Sequence, residues 1–145
     1  MPGRLIIWGR NKQDRVATSR TPVPSLNLSY HIVFCPKYRR KVLVGEVEQK
    51  LKHILYATAQ QYGVLIETME VMSDHVHLFV TADPTRCMAE IVNRLKGASS
   101  RILRQEFPHL TSRLPTLWSR SYYAATVGHV SESTVKKYIE NQKGR

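Results

Sequence analysis

Two short stretches hold residues whose types and spacing suit chemistry. The first reads Asp74-His75-Val76-His77-Leu78-Phe79-Val80. Side chains alternate along a strand, so His75 and His77 point to one face and Val76, Leu78 and Val80 to the other. The aliphatic trio belongs in a core, which turns both imidazoles toward the opposite, open face. At i and i+2 they stand close enough to share one metal ion. The second stretch reads Val135-Lys136-Lys137-Tyr138-Ile139-Glu140-Asn141-Gln142. Tyr138 and Gln142 are four apart and share one face of a helix. A tyrosine hydroxyl is a competent nucleophile toward phosphorus, and a glutamine carbonyl oxygen suits a hard divalent ion. Each pattern also has a plainer meaning. His-x-His describes solvated or core histidines as well, and Tyr138 could simply pack with Val135 and Ile139 as an amphipathic anchor.

The elements that must position these groups follow from periodicity. Leu26 to Phe34 alternates, with Leu26, Leu28, Tyr30, Ile32 and Phe34 against Asn27, Ser29, His31 and Val33, which predicts a half-buried strand ended by Pro36. Glu46 to Tyr62 has helical spacing at Val47, Leu51, Ile54, Leu55, Thr58 and Tyr62, and Gly63 stops it. Val64 to Met72 reads as a second strand, joined through Ser73-Asp74 to a third, His75 to Thr81. After Asp83-Pro84 a long amphipathic helix is predicted from Thr85 to Phe107. Its apolar face is Met88, Ile91, Val92, Leu95, Ala98, Ile102 and Leu103; its other face carries Arg86, Arg94, Lys96, Arg101 and Arg104. Leu117 to Val127 supplies a fourth strand, interrupted or bulged around Ser119 to Ser121. Gly128 breaks the chain before a last helix, capped by Ser131, that runs to Gln142 and stops at Gly144. The order βαββαβ plus a helix predicts an α+β, ferredoxin-like split arrangement: an antiparallel sheet with both crossover helices on one face. The other face, with the histidines, is left for the last helix or a second subunit.

The 145 residues allow one domain. The chain has 22 Lys+Arg against 11 Asp+Glu, a formal charge of +11, yet 42% hydrophobic residues. That excludes a disordered polycation and puts the excess charge on a folded surface. Nucleic acid, anionic membrane and acidic protein are the usual partners of such a surface. No apolar run approaches the roughly 20 residues of a membrane span, no secretory signal is visible, and a cytoplasmic location is expected. Cys35 and Cys87 form no CxxC pair and read as buried free thiols, neither disulfide nor zinc site. Residues 1–24 carry Arg4, Arg10, Lys12, Arg15 and Arg20 against Asp14 and five Pro or Gly residues. They read as a flexible basic arm ahead of a single domain at 25–145.

Several stretches, in order, carry a resemblance. They are Tyr30-His31-Ile32-Val33-Phe34-Cys35-Pro36-Lys37-Tyr38-Arg39-Arg40, then Asp74-His75-Val76-His77-Leu78 and Leu95-Lys96-Gly97-Ala98-Ser99-Ser100-Arg101. Leu117-Trp118-Ser119 with Tyr122-Tyr123, Thr126-Val127-Gly128 and Tyr138-Ile139-Glu140-Asn141-Gln142 complete them. From about Tyr30 to Gln142 the sequence resembles the small single-tyrosine transposases of bacterial insertion sequences, TnpA-type members of the HUH nuclease superfamily. The basic arm has no counterpart in that resemblance. What it implies is an enzyme that cuts and rejoins single-stranded DNA at hairpin-marked ends. Tyr138 would form a 5′-phosphotyrosine link and free a 3′-hydroxyl. His75, His77 and Gln142 would hold Mg²⁺ or Mn²⁺. The resemblance further implies a homodimer in which the tyrosine helix of one subunit completes the partner's histidine pair, with Gly128 as a hinge for that helix.

Single-stranded or hairpin DNA needs phosphate neutralisation and stacking platforms. Lys37, Tyr38, Arg39 and Arg40 combine both, and Arg94, Lys96 and Arg101 form a basic stripe on the long helix. Phe79, Tyr122 and Tyr123 suit stacking, core or a dimer interface equally. His31 falls on the face of His75 and His77. Three other readings stay open: a non-catalytic RRM-like RNA-binding module, a domesticated relative that processes genomic hairpins, and a water-using phosphodiesterase with a structural Tyr138. The RRM-like reading would need aromatic rings where the third strand has its histidines.

Overall fold

The computed structural model describes residues 27–126 and 132–143. Among them the alternating stretches form strands β1 (Leu28–Phe34), β2 (Leu65–Met72), β3 (His75–Ala82) and β4 (Tyr123–Thr126). The helical patterns form α1 (Gly45–Tyr62), α2 (Met88–Glu106), α3 (His109–Arg113) and α4 (Glu132–Asn141), and a 3-10 turn spans Lys37–Arg39. The sheet order is β2-β3-β1-β4, antiparallel throughout, which is the predicted ferredoxin-like arrangement. Ile32, Phe34, Val76, Leu78 and Val80 face one way and merge with Leu51, Leu55, Val92, Leu95 and Leu103 of α1 and α2 into one core. Gly63 ends α1 in the left-handed region at φ 78°, where a side chain would be strained, and its N–H reaches back to Ala59 and Gln60.

Several boundaries differ from the sequence expectation. The long helix starts at Met88, not Thr85, because the Asp83 carboxylate accepts both the N–H and the hydroxyl of Thr85 at 2.7 Å and ties residues 83–86 into a turn. It ends at Glu106, and after Pro108 comes α3, whose single buried residue, Leu110, gives too little periodicity to be read. β4 starts at Tyr123 instead of Leu117. Residues 117–119 pair with the segment after β1: Lys37 N–H donates to Leu117 O at 2.8 Å and Ser119 N–H to Cys35 O at 2.9 Å. This sinks Leu117 and Trp118 into the core, where the Trp118 ring meets Phe34 edge-on. The chain then leaves the ladder at Ser119 to Ser121, the predicted interruption. Two burial expectations change as well: Cys35 is buried but Cys87, just ahead of α2, is exposed, and Val33 is fully buried although it lies on the histidine face. The arm at 1–24, Gly128, Ser131 and Gly144 lie outside the described residues. No helix among the described residues is long and apolar enough to cross a membrane.

Candidate active site

Along β3 the buried residues are Val76, Leu78, Val80 and Ala82, so His75 and His77 fall on the other face as their alternation requires. Asp74, in the β2–β3 turn, takes the first imidazole in hand: His75 Nδ1 donates to its Oδ1 at 2.9 Å, and Arg39 Nε pairs with its Oδ2 at 2.8 Å. Burial would raise the Asp74 carboxyl, but the His75 hydrogen bond and the Arg39 charge outweigh it and hold it below the usual carboxylate range. With Nδ1 donating, the His75 lone pair sits on Nε2, the arrangement carboxylates impose on metal-binding imidazoles. His77 Nε2 is buried with no hydrogen-bond partner. Burial, and after it the neighbouring His31, pushes the His77 pKa below the ordinary imidazole value, which keeps the ring neutral and its lone pair available at neutral pH. His31 lies beside it as expected, its ring centroid 5.3 Å from His77 and 5.2 Å from Phe79. These features fit a divalent ion: one imidazole oriented by Asp74 and the unpartnered buried Nε2 of His77, with Glu70 facing His77 from the neighbouring strand. Among the described residues no cluster of three or more His, Cys, Asp or Glu that could hold a metal ion is found.

Register carries the site across the sheet. Glu70, His77, Val33 and Tyr123 are successive cross-strand partners and therefore share one face. The Tyr138 ring lies 6.2 Å from that of Tyr123, which brings α4 onto the histidine face. The loop before β4 supplies the remaining contacts. Ser121 Oγ lies 3.3 Å from Tyr138 Oη, and Ser119 and Ser121 both donate to Gln142 Oε1, at 2.9 and 3.0 Å. Gln142 is only 2% exposed. Its carbonyl oxygen therefore already has two hydroxyl donors, and an ion would take the place of one of them. Nothing in residue type marked Ser119 and Ser121 for this task; their place in the strand interruption was the available signal.

The basic residues split into distinct groups. Lys37, Tyr38 and Arg40 face outward, with Lys37 Nζ 5.4 Å and the Arg40 guanidinium 6.0 Å from the centre of the exposed Tyr38 ring. Arg39 turns inward, 13% exposed, onto Asp74 and onto α4, where it donates to Ile139 O at 3.1 Å and meets Glu140 at 3.5 Å. Lys96 also turns inward: Nζ donates to Ser119 O at 2.8 Å and Ser121 O at 3.2 Å, and burial lowers its pKa to about 8. Arg39 and Lys96 thus spend their charge on protein groups, unlike the open cations the sequence suggested. Arg94 and Arg101 line a groove of about 680 Å³ between α1 and α2, together with Lys50, His53 and Tyr62. There Arg86 and Arg94 stack on Tyr62 at 4.4 and 4.2 Å. The helices lie on the core face of the sheet, so this groove does not adjoin the histidines. Burial pushes the Cys35 thiol up to about 12, which makes it inert.

Known proteins share this architecture. The family model described as "Transposase IS200 like" matches residues 25–142. The ISDra2 transposase TnpA of Deinococcus radiodurans is 45% identical over 117 residues, covering 79% of this chain and 84% of that protein. The transposase for insertion sequence element IS200 of Salmonella typhimurium is 34% identical over 118 residues, 80% of this chain and 77% of its own length. A crystal structure of a Deinococcus radiodurans R1 protein assigned as a transposase superposes with a TM-score of 0.77 at 39% identity, over 86% of this chain and 98% of that one. A REP-associated tyrosine transposase bound to a REP hairpin has a TM-score of 0.51 at 13% identity, over 85% and 69%, which is a likeness of fold alone. A family match of this length, with relatives of similar size at this identity, establishes descent: the chain belongs to the IS200-like transposase family.

Proposed function

We propose that this transposase cleaves and rejoins single-stranded DNA at hairpin-marked element ends through a 5′-phosphotyrosine intermediate, with Mg²⁺ or Mn²⁺ as cofactor. The observation that carries the reading is the shared face: Tyr138, held at Ser121, docks on the side of the sheet that presents His75 and His77. Tyr138 Oη attacks the scissile phosphorus and loses its proton to solvent; the Tyr–O–P bond forms, the P–O3′ bond breaks, and the 3′-oxygen leaves as a hydroxyl after taking up a proton. A 3′-hydroxyl then attacks the phosphotyrosine, which restores a phosphodiester and frees Tyr138 without ATP. His75, His77 and Gln142 would hold the divalent ion, which supplies positive charge at the phosphate as the leaving oxygen develops negative charge. Asp74 keeps the His75 ring aimed. Lys37, Tyr38 and Arg40 form a stacking and phosphate-binding patch, and Arg94 and Arg101 contact backbone on the helix layer.

The experiment is incubation with labelled hairpin single-stranded DNA and Mn²⁺. An SDS-resistant protein–DNA adduct should form with the native chain and vanish in Tyr138→Phe. His75→Ala and His77→Ala should lose cleavage yet keep hairpin affinity within a few-fold, since phosphate contacts dominate it. Cleavage that survives Tyr138→Phe would favour attack by water. A homodimer and action in the cytoplasm belong to the same reading; α4 docks on the histidine face of its own chain, and exchange of that helix between subunits is the alternative arrangement. Mixing Tyr138→Phe with His77→Ala chains should restore cleavage if sites are shared, and fail if each chain is self-sufficient. The 45% identity to an insertion-sequence transposase favours a mobile element over a domesticated repeat processor, and inspection of the flanking DNA for imperfect palindromes decides it.

A further inference from the structure

Arg39 occupies a place that phosphate binding does not explain. It follows Tyr38, and both are non-glycine residues in the left-handed region, at φ 54° and 61°. Such a pair is uncommon and is maintained only where surrounding contacts over-determine it. Here Pro36 O accepts the Arg39 N–H at 2.8 Å and Leu117 O accepts that of Lys37 at 2.8 Å, fixing both ends of the turn. The twist sends Tyr38 and Arg40 to the surface and Arg39 into the protein. Its guanidinium then joins three elements: the 3-10 turn that carries it, the β2–β3 turn through Asp74 Oδ2 at 2.8 Å, and α4 through Ile139 O at 3.1 Å and Glu140 at 3.5 Å. The other Asp74 oxygen is the acceptor for His75 Nδ1. One unbroken chain of polar contacts therefore runs from the tyrosine helix, through Arg39 and Asp74, to a histidine of the proposed metal pair.

We infer that Arg39 is a positioning residue that couples docking of the Tyr138 helix to the orientation of the His75 imidazole, so that nucleophile and metal ligand are set together. The inference rests on the functional reading above. Arginine is suited to the task because its planar fork presents donors in two directions, whereas lysine offers a point charge. A carboxylate behind a ligating imidazole fixes its tautomer and ring angle, and loss of such a partner typically costs about 10- to 100-fold in metal affinity. The coupling runs both ways: helix docking steadies Arg39 on Asp74, and Asp74 steadies Arg39 under the helix.

The test uses the full chain without DNA, measuring Mn²⁺ affinity by electron paramagnetic resonance and α4 amide exchange by mass spectrometry, with hairpin affinity measured separately. Arg39→Lys should weaken Mn²⁺ binding by about tenfold or more and speed α4 exchange, while hairpin affinity stays within about twofold because the charge is kept. Asp74→Asn, nearly isosteric and without contact to α4 in the structure, should also speed α4 exchange. Faster exchange in Arg39→Lys with unchanged Mn²⁺ affinity would reduce Arg39 to a pin for the helix and overturn the coupling. So would unchanged α4 exchange in Asp74→Asn, or an Arg39→Lys chain that differs from the native one only in hairpin affinity. None of these measurements needs cleavage, so a failed adduct assay would count against the phosphotyrosine reading and leave the coupling to be judged by α4 exchange.

Discussion

Lys96 shows how much a single side chain's surroundings decide. The sequence reading groups it in a basic stripe with Arg94 and Arg101, yet two residues on from Arg94 is about half a turn of helix, which points its ammonium inward, onto the carbonyls of Ser119 and Ser121. Those two serines hold Gln142, and Ser121 lies beside Tyr138, so Lys96 shapes the loop that seats the tyrosine helix. Burial lowers its pKa to about 8, against about 10.4 for an unfolded lysine. Between those values the unfolded chain binds the proton and the folded one does not, so this group makes stability rise with pH across that window. Below about pH 8 both states are protonated and the cost of burying the charge is fully present. Comparing urea unfolding of native and Lys96→Met chains from pH 7.5 to 10.5 should therefore show the native chain gaining relative to the variant as pH rises. A flat or falling difference would mean that Lys96 stays charged in the fold at the higher pH.

At the scale of elements, β3 is the part on which fold and chemistry meet. Its inward side chains Val76, Leu78 and Val80 are fully buried beneath α1 and α2, and its outward ones include both histidines. A one-residue slip would exchange the two sets, so core packing on one face is what keeps imidazoles on the other. Leu78→Ala should cost about 2 to 5 kcal/mol by chemical denaturation, the range for a fully buried leucine. Adduct formation at saturating Mn²⁺, per folded molecule, should stay near native because the strand keeps its register with β1 and β2. A large loss of adduct in chains that remain folded would show that the strand had shifted.

For the whole molecule, the basic residues named for DNA fall into two separate patches among the described residues. Leaving aside residues 1–24, the chain keeps 17 Lys+Arg against 10 Asp+Glu, and the structure turns Arg39 and Lys96 inward. Lys37 and Arg40 flank an exposed tyrosine at the end of β1, whereas Arg94 and Arg101 line the groove between the helices. If both patches meet DNA phosphates, Arg94→Ala and Arg101→Ala should each lower the slope of log affinity against log salt for hairpin binding by about 0.7 to 0.9. A slope unchanged by either substitution would confine DNA to the Tyr38 patch. The direct reading of hairpin affinity at several salt concentrations checks this without any cleavage.

The element order, the βαββαβ architecture and the turn of both histidines away from the core were legible in the chain itself; the last helix was expected to reach Gln142 but ends at Asn141, and it is the Ser119–Ser121 loop that gathers Tyr138 and Gln142. The legible features rest on local periodicity, and local periodicity is a property of residue types in series. The α3 helix and the true start of β4 escaped, because Leu110 alone makes no pattern and because Leu117 and Trp118 pair with the segment after β1 rather than continuing a ladder. Contacts between residues far apart in the chain were settled only by tertiary structure. Arg39 and Glu140 are about a hundred positions apart, and no spacing rule joins them; Lys96, by contrast, lies at helical spacing from the buried Val92, Ser99 and Leu103, while Arg94 and Arg101 share the opposite face. The sequence by itself determined which groups could do chemistry; folding decided which charges are spent inside, holding Asp74 and the Ser119–Ser121 loop, because a buried cation must find oxygen partners and the nearest ones lay on other elements.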